Sequence, residues 1–179
     1  MNVLIASGFS EPRIRPVSDR PADAAGLKQA LRTLGGGVSV ITAGEGTERS
    51  GATVTSATAL SVDPPRMLVS LNRSSSTWPV VERYRHFAVN VIGADHQDVA
   101  NRFAGVGGLR GPERYVGAEW TRLASGAPVL ENAVAALDCE VEEAIERHSH
   151  VILIGRVLSI RLGGGSSLLY QNGKYHAVT

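Results

Sequence analysis

Hydroxyl side chains in this chain gather where two apolar runs end. Thr53, Thr55, Ser56 and Thr58 close the first run, and Asn72 and Arg73 followed by Ser74, Ser75, Ser76 and Thr77 come directly after the second, residues 67–71. Hydroxyls and backbone N–H groups are donors suited to a phosphate and to the edge of a polar heterocycle, and a helix opening at the serine cluster adds the partial positive charge of its N-terminus. Arg73 adds a fixed cation. Alone, the serine cluster reads as a solvated helix cap. With a second hydroxyl cluster a short connection away, the pair reads as a seat for a phosphorylated cofactor.

Other chemistries find little support. The chain has no HExxH, GxSxG or Walker lysine, so nothing specific points to a zinc hydrolase, a serine hydrolase or an NTPase. Gly35-Gly36-Gly37 follows a helical pattern and precedes a strand, the reverse of a phosphate-loop order, and the last glycine of a GxGxxG begun at Gly105 falls on Arg110. His148 and His150 are two apart, which places them on one face of a strand, yet no cysteine is near and Glu146 is the nearest carboxylate. No metal is expected. The single Cys139 rules out an internal disulfide and reads as a small buried strand residue.

The elements that must hold these residues are mostly strands. Asp23 is a candidate N-cap for a helix in which Ala24, Leu27, Ala30, Leu31 and Leu34 recur at helical spacing. Strands follow at 38–42, 52–55 and 67–71, with Pro64-Pro65 breaking the chain before the third. A short helix is expected over 77–83, capped by Ser75, Ser76 or Thr77, then a strand at 86–92 and a helix begun by Asp95. Residues 105–111 and 112–131 read as loops, with Trp120 and Pro128 as packing anchors. Residues 134–146 fit a strand with alternating faces, though a helix remains open there. The run at 150–160 reads as a strand buried on both faces, and Asn172-Gly173 marks a closing hairpin. At least six strands without strand–helix alternation give a mainly β antiparallel barrel with helical excursions.

At 179 residues, 43% of them apolar, one domain is expected over 23–179, preceded by an arm at 1–22. A net charge of +1 gives no electrostatic case for nucleic acid or an anionic membrane surface. The apolar run at residues 3–6 is too short for a signal sequence, and no stretch approaches a membrane span, so the expected compartment is cytoplasmic.

The blocks GGGVSVITA, SGATVTSATALSVDPPRMLVSLNRSSSTW, FAVNVI, NRF, GAPVLENAVAALDCEV, HSHVILIGRV and LLYQNGKYHAV resemble, in order and spacing over residues 24–178, the short-chain flavin reductases that feed two-component flavin monooxygenases. The resemblance implies a split β-barrel that binds FMN or FAD, uses NADH or NADPH as hydride donor, forms a homodimer and passes reduced flavin to a flavin-dependent monooxygenase. It further implies that Thr53, Thr55, Ser56, Ala57 and Thr58 line the isoalloxazine. Asn72, Arg73, Ser75, Ser76 and Thr77 would hold the ribityl chain and phosphate, with Arg102 and Phe103 nearby. Where the family usually has Gly-Asp-His, this chain has His148-Ser149-His150. Only the last histidine matches, and the resemblance implies that His150 would take the catalytic role at the flavin and nicotinamide side. Two other readings stay open: a non-catalytic flavin carrier on the same barrel, or a reductase-like barrel holding another cofactor, such as haem or a corrinoid, on His150 or His148.

Overall fold

The computed structural model describes residues 21–178; the expected arm therefore lies almost wholly outside the described residues. In chain order the elements are α1 (Ala24–Thr33), β1 (Gly36–Gly37), β2 (Ser39–Ala43), β3 (Ser50–Val54), β4 (Ala57–Ser61), β5 (Arg66–Asn72), α2 (Trp78–Tyr84), β6 (His86–Val91) and α3 (Gln97–Phe103). Then come β7 (Trp120–Arg122), β8 (Pro128–Leu130), β9 (Ala135–Arg147), β10 (His150–Leu162), β11 (Ser167–Gln171) and β12 (Lys174–Val178).

Seven strands form one antiparallel sheet in the order β3-β2-β6-β9-β10-β5-β4. Its two edge strands, β3 and β4, are consecutive in the chain and joined only by Thr55 and Ser56. Two residues span at most about 7 Å, so the sheet must curl until its edges meet. The result is an antiparallel barrel split along the β3/β4 seam, the fold class the sequence led us to expect. A smaller sheet, β1-β11-β12, and the β7-β8 hairpin lie outside it.

Strand alternation divides the core in two. Ile41 of β2, Val69 and Leu71 of β5, Phe87 and Val89 of β6, Cys139 of β9, and Val151 and Leu153 of β10 face inward and fill the barrel, with Trp78 and Val81 of α2 packed against them. The opposite faces of β2, β6 and β9 present Val40, Ala88 and Ala136 to an outer core completed by Val99, Ala100 and Phe103 of α3 and by Val129 and Leu130 of β8. Burial pushes the Cys139 thiol up to about 12, so it is inert in the barrel wall.

Asp23 caps α1 as expected, its Oδ1 accepting the Gly26 N–H at 2.6 Å. The apolar stripe is also present, but no residue of α1 is buried. Three sequence expectations need correction. β4 was not foreseen, because Ala57–Ser61 is short, mixes small and polar residues, and pairs with β5 through the seam rather than through an apolar pattern of its own. The loop expected over 112–131 contains the β7–β8 hairpin, whose three-residue strands are too short to show periodicity. β10 is not buried on both faces: only Val151, Leu153 and Gly155 are buried, and beyond Arg156 the strand runs out with Ile160 57% and Leu162 81% exposed. Among the described residues no helix is long and apolar enough to cross a membrane.

Candidate functional site

The two hydroxyl clusters converge on the seam. Thr55 and Ser56 are the joint itself, and the Ser56 hydroxyl donates to the Ser70 carbonyl of β5 at 2.7 Å, tying the joint down. Thr53 donates to the Ala100 carbonyl at 2.6 Å and so fixes β3 against α3. From the other side, Asn72 shapes the serine loop: its Oδ1 accepts from Ser74 N at 2.9 Å and Ser74 Oγ at 2.8 Å, while its carbonyl accepts Ser75 N at 3.0 Å. Ser50 Oγ lies 3.3 Å from Ser76 Oγ and 3.4 Å from Thr77 Oγ1, linking the loop to β3.

Three cavities follow one another along this outer surface. The first, about 500 Å³, is lined by Ser74, Ser75, Ser76, Thr53, Arg110 and Arg114 among others. It shares Thr53 and Ala104 with a second of about 230 Å³, walled by Tyr170 and Tyr175. That one shares Thr55 and Tyr170 with a third of about 380 Å³ under α1. They make one groove with a cationic, hydroxyl-rich end and an aromatic middle. Tyr170 and Tyr175 stack edge-on, 5.1 Å between centroids, and burial holds the Tyr175 phenol above its usual range.

A second aromatic group supports the first cavity from below. Phe103 meets Tyr115 at 4.9 Å and Trp120 at 5.5 Å, and the Tyr115 hydroxyl donates to the Ser50 carbonyl at 2.6 Å. Phe103 reaches β3 only because residue 51 is glycine; a Cβ there would lie 2.6 Å from the ring.

The expected residues do not all face this groove. Thr53, Thr55, Ser75, Ser76 and Phe103 line it. Thr77 is buried, with its hydroxyl turned to Ser50. Ala57 packs into the barrel interior, and Thr58 is exposed on the opposite face. The Arg102 guanidinium holds the Val116 carbonyl and Asp98, closing the loop after α3. Arg73 reaches back to the β9–β10 turn, with Nη2 2.6 Å from Glu146 and Nη1 donating to the His148 carbonyl at 3.3 Å. His150 lines none of the three cavities. It starts β10, paired with Asn72 of β5, about 10 Å or two strand spacings from the seam.

Arg110 and Arg114 were missed. Arg110 sits in the glycine-rich stretch 105–111 and Arg114 in the segment 112–131, both read as loops, and no spacing rule ties them to residues 74–76. The fold brings them there because Arg114 donates to the Gly51 carbonyl at 2.6 Å and to the Leu109 carbonyl at 2.9 Å, and Glu113 accepts the Arg110 N–H at 3.0 Å.

The arrangement offers donors and cations for a phosphate at one end and an open, partly aromatic shelf for a flat heterocycle. Among the described residues no cluster of three or more His, Cys, Asp or Glu side chains could hold a metal. Residues 31–179 match the model of the flavin reductase like domain. An FMN reductase (NADH) RutF from Variovorax paradoxus is 36% identical over 178 residues, covering 99% of this chain and 93% of the relative. A nitrilotriacetate monooxygenase component B homolog from Mycobacterium thermoresistibile superposes with a TM-score of 0.78 at 26% identity, over 87% of this chain and 86% of the other. The NADH:FAD oxidoreductase SgcE6 of Streptomyces globisporus, solved with NAD and FAD fragments, gives 0.79 at 27% identity, over 89% and 95%. With its seam, its groove and these matches along nearly its whole length, the chain belongs to the flavin reductase-like family.

Proposed function

We propose that this chain is an NADH-dependent flavin reductase that delivers reduced flavin to a separate monooxygenase, working as a homodimer in the cytoplasm. The observation that carries this reading is the continuity of the groove from Arg110, Arg114 and residues 74–76, past the seam, to Tyr170. A flavin fits that layout. Its phosphate matches the cationic hydroxyl end, and its ring matches the seam, where β3 and β4 are sheet edges whose outward backbone groups have no ladder partner. The bound flavin supplies the ring that accepts hydride from a dihydronicotinamide. The protein's part is positional and electrostatic. Backbone N–H groups of residues 55–58 and the imidazole of His150 stabilise the negative charge that hydride brings to the ring, and the groove stacks donor on acceptor. His150 is about two strand spacings from the seam, a span comparable with the long axis of a three-ring flavin. The relatives' names support the donor and the partner: one is an FMN reductase using NADH, and another is a component of a monooxygenase.

Oxidation of NADH and NADPH, each with FMN, FAD and riboflavin, tests the reading. We expect turnover with NADH and at least one flavin; absence of turnover in every combination would overturn it. In the same assay Arg110→Ala should weaken FMN by roughly three- to tenfold and leave riboflavin, which lacks the phosphate, unchanged.

A further inference from the structure

We propose that the end of the groove beneath α1 is a second anion seat, built to take the diphosphate of the hydride-donating dinucleotide. The inference rests on the reductase reading and extends it to two residues of α1, Lys28 and Arg32. They are four apart on the helix and therefore share a face, and both line the cavity of about 380 Å³ that continues from the seam through Thr55 and Tyr170. No carboxylate lines this cavity, and among the described residues no ion pair involves either cation.

The seat is tied together by its backbone. The Asn172 N–H donates to the Arg32 carbonyl at 2.7 Å, the Gln171 side chain donates to the Thr33 carbonyl at 2.7 Å, and Arg32 Nη2 meets the Asn172 carbonyl at 3.5 Å. The last turn of α1 is thus fastened to the β11–β12 turn. At Gly173, φ is +81° and a Cβ would lie 3.1 Å from Arg32 Nη2, so glycine both permits the turn and leaves the guanidinium its place. Gln171 and Asn172 add neutral polar groups to the same wall.

The position along the groove selects the ligand. A flavin phosphate at Arg110 and Arg114 leaves the ring across the seam and the flavin's own phosphates at the far end from α1. A nicotinamide stacked on that ring carries its ribose and diphosphate away from it, and the α1 end is where the groove continues with positive charge. Two cations facing two phosphate charges at a solvent-exposed site act through charge-assisted hydrogen bonds that salt weakens.

The test uses the full chain with Lys28→Gln and Arg32→Gln together, and Lys28→Gln alone, which keeps the Arg32–Asn172 contact. ADP-ribose, which has the diphosphate but no nicotinamide, is titrated calorimetrically. KM is measured for NADH and for 1-benzyl-1,4-dihydronicotinamide, which has no phosphate. We expect the double variant to weaken ADP-ribose and to raise KM for NADH by roughly five- to twentyfold, with the single variant between, and KM for the benzyl donor and the affinity for FMN unchanged. Unchanged ADP-ribose binding, or an equal rise in KM for both donors, would overturn the seat. Weaker FAD binding with unchanged NADH kinetics would assign it to the flavin's adenylate and overturn it as a donor site. A wild-type protein that oxidises neither donor would remove the reductase reading itself, whereas one that oxidises both, with the variants identical to it, removes only this proposal.

Discussion

Ser149 fixes the orientation of His150 through an Oγ···Nδ1 contact of 2.9 Å. When the hydroxyl donates to Nδ1, the ring proton resides on Nε2 and the imidazole presents a donor outward. The hydroxyl thus orients this histidine without adding a charge. The turn that carries it is constrained: His148 has φ 50°, a left-handed conformation that costs a non-glycine residue roughly 1–2 kcal/mol. Arg73 holds the turn in place, its N–H donating to the Ser149 carbonyl at 2.9 Å while its guanidinium grips Glu146 and the His148 carbonyl. Arg73, expected at the phosphate, is engaged by this hairpin in the structure. Adjacency to Ser74 suggested a phosphate ligand, but a long side chain can serve the neighbouring hairpin instead. Ser149→Ala should slow single-turnover hydride transfer roughly three- to tenfold with flavin affinity unchanged, as expected for one hydrogen bond, and should erase the tautomer bias in the His150 ring nitrogen resonances. Ser149→Thr should restore both; equal rates in all three proteins would detach His150 orientation from catalysis.

The elements that support the groove are locked by buried polar side chains on the outer faces of β2, β6 and β9. Asn90 donates to the Val40 carbonyl at 3.0 Å and to Thr42 Oγ1 at 3.1 Å, and it accepts Leu130 N at 2.8 Å; Thr42 donates to the Pro128 carbonyl at 2.5 Å. Asp138, fully buried, accepts Ser125 N at 2.6 Å and also the Ser125 hydroxyl. These bonds pin β8 and its approach to the barrel, the segment that completes the core under α3. Beside Asp138 lies His86, buried, with Nε2 unpartnered; desolvation holds its pKa below the usual histidine range, against the opposing pull of Asp138 and Glu45. A depressed folded-state pKa means the unfolded chain binds the proton more readily. Stability is therefore complete above about pH 6.5 and falls as the pH drops toward the folded pKa. Melting temperature should decline from pH 7.5 to 5.5, and His86→Gln should flatten most of that decline; an identical slope in the variant would place its origin elsewhere. Strands with strong alternation or long apolar runs, such as β5, β6 and β10, were legible in the sequence, and so was the N-cap at Asp23. The β7–β8 hairpin was not, because what fixes it is Thr42, Asn90 and Asp138, residues 40 or more positions away or on another strand. For the same reason Thr53, Ser75 and Ser76 could be foreseen at the groove, whereas Arg110 and Arg114 depend on long-range carbonyl contacts that no local pattern announces.

At the scale of the whole molecule, two apolar surfaces have no cover among the described residues. Leu27 and Leu31 of α1 are 59% and 53% exposed, and Ile160 and Leu162 extend beyond the sheet at the end of β10. Patches of this kind on a small barrel favour self-association, which supports the proposed homodimer. Light scattering at micromolar concentration should give a dimer mass for the wild type, and Leu27→Lys together with Ile160→Lys should shift it toward the monomer; a monomeric wild type would remove the proposal. The barrel interior, finally, is packed with Leu71, Phe87, Val151 and Leu153, and the groove runs along its outer wall. A passenger carried on the outside needs no door. Under the proposed function, reduced flavin would leave for its acceptor by diffusion from an open shelf, without any strand parting, and its release would be governed by affinity at the seam and not by opening of the fold.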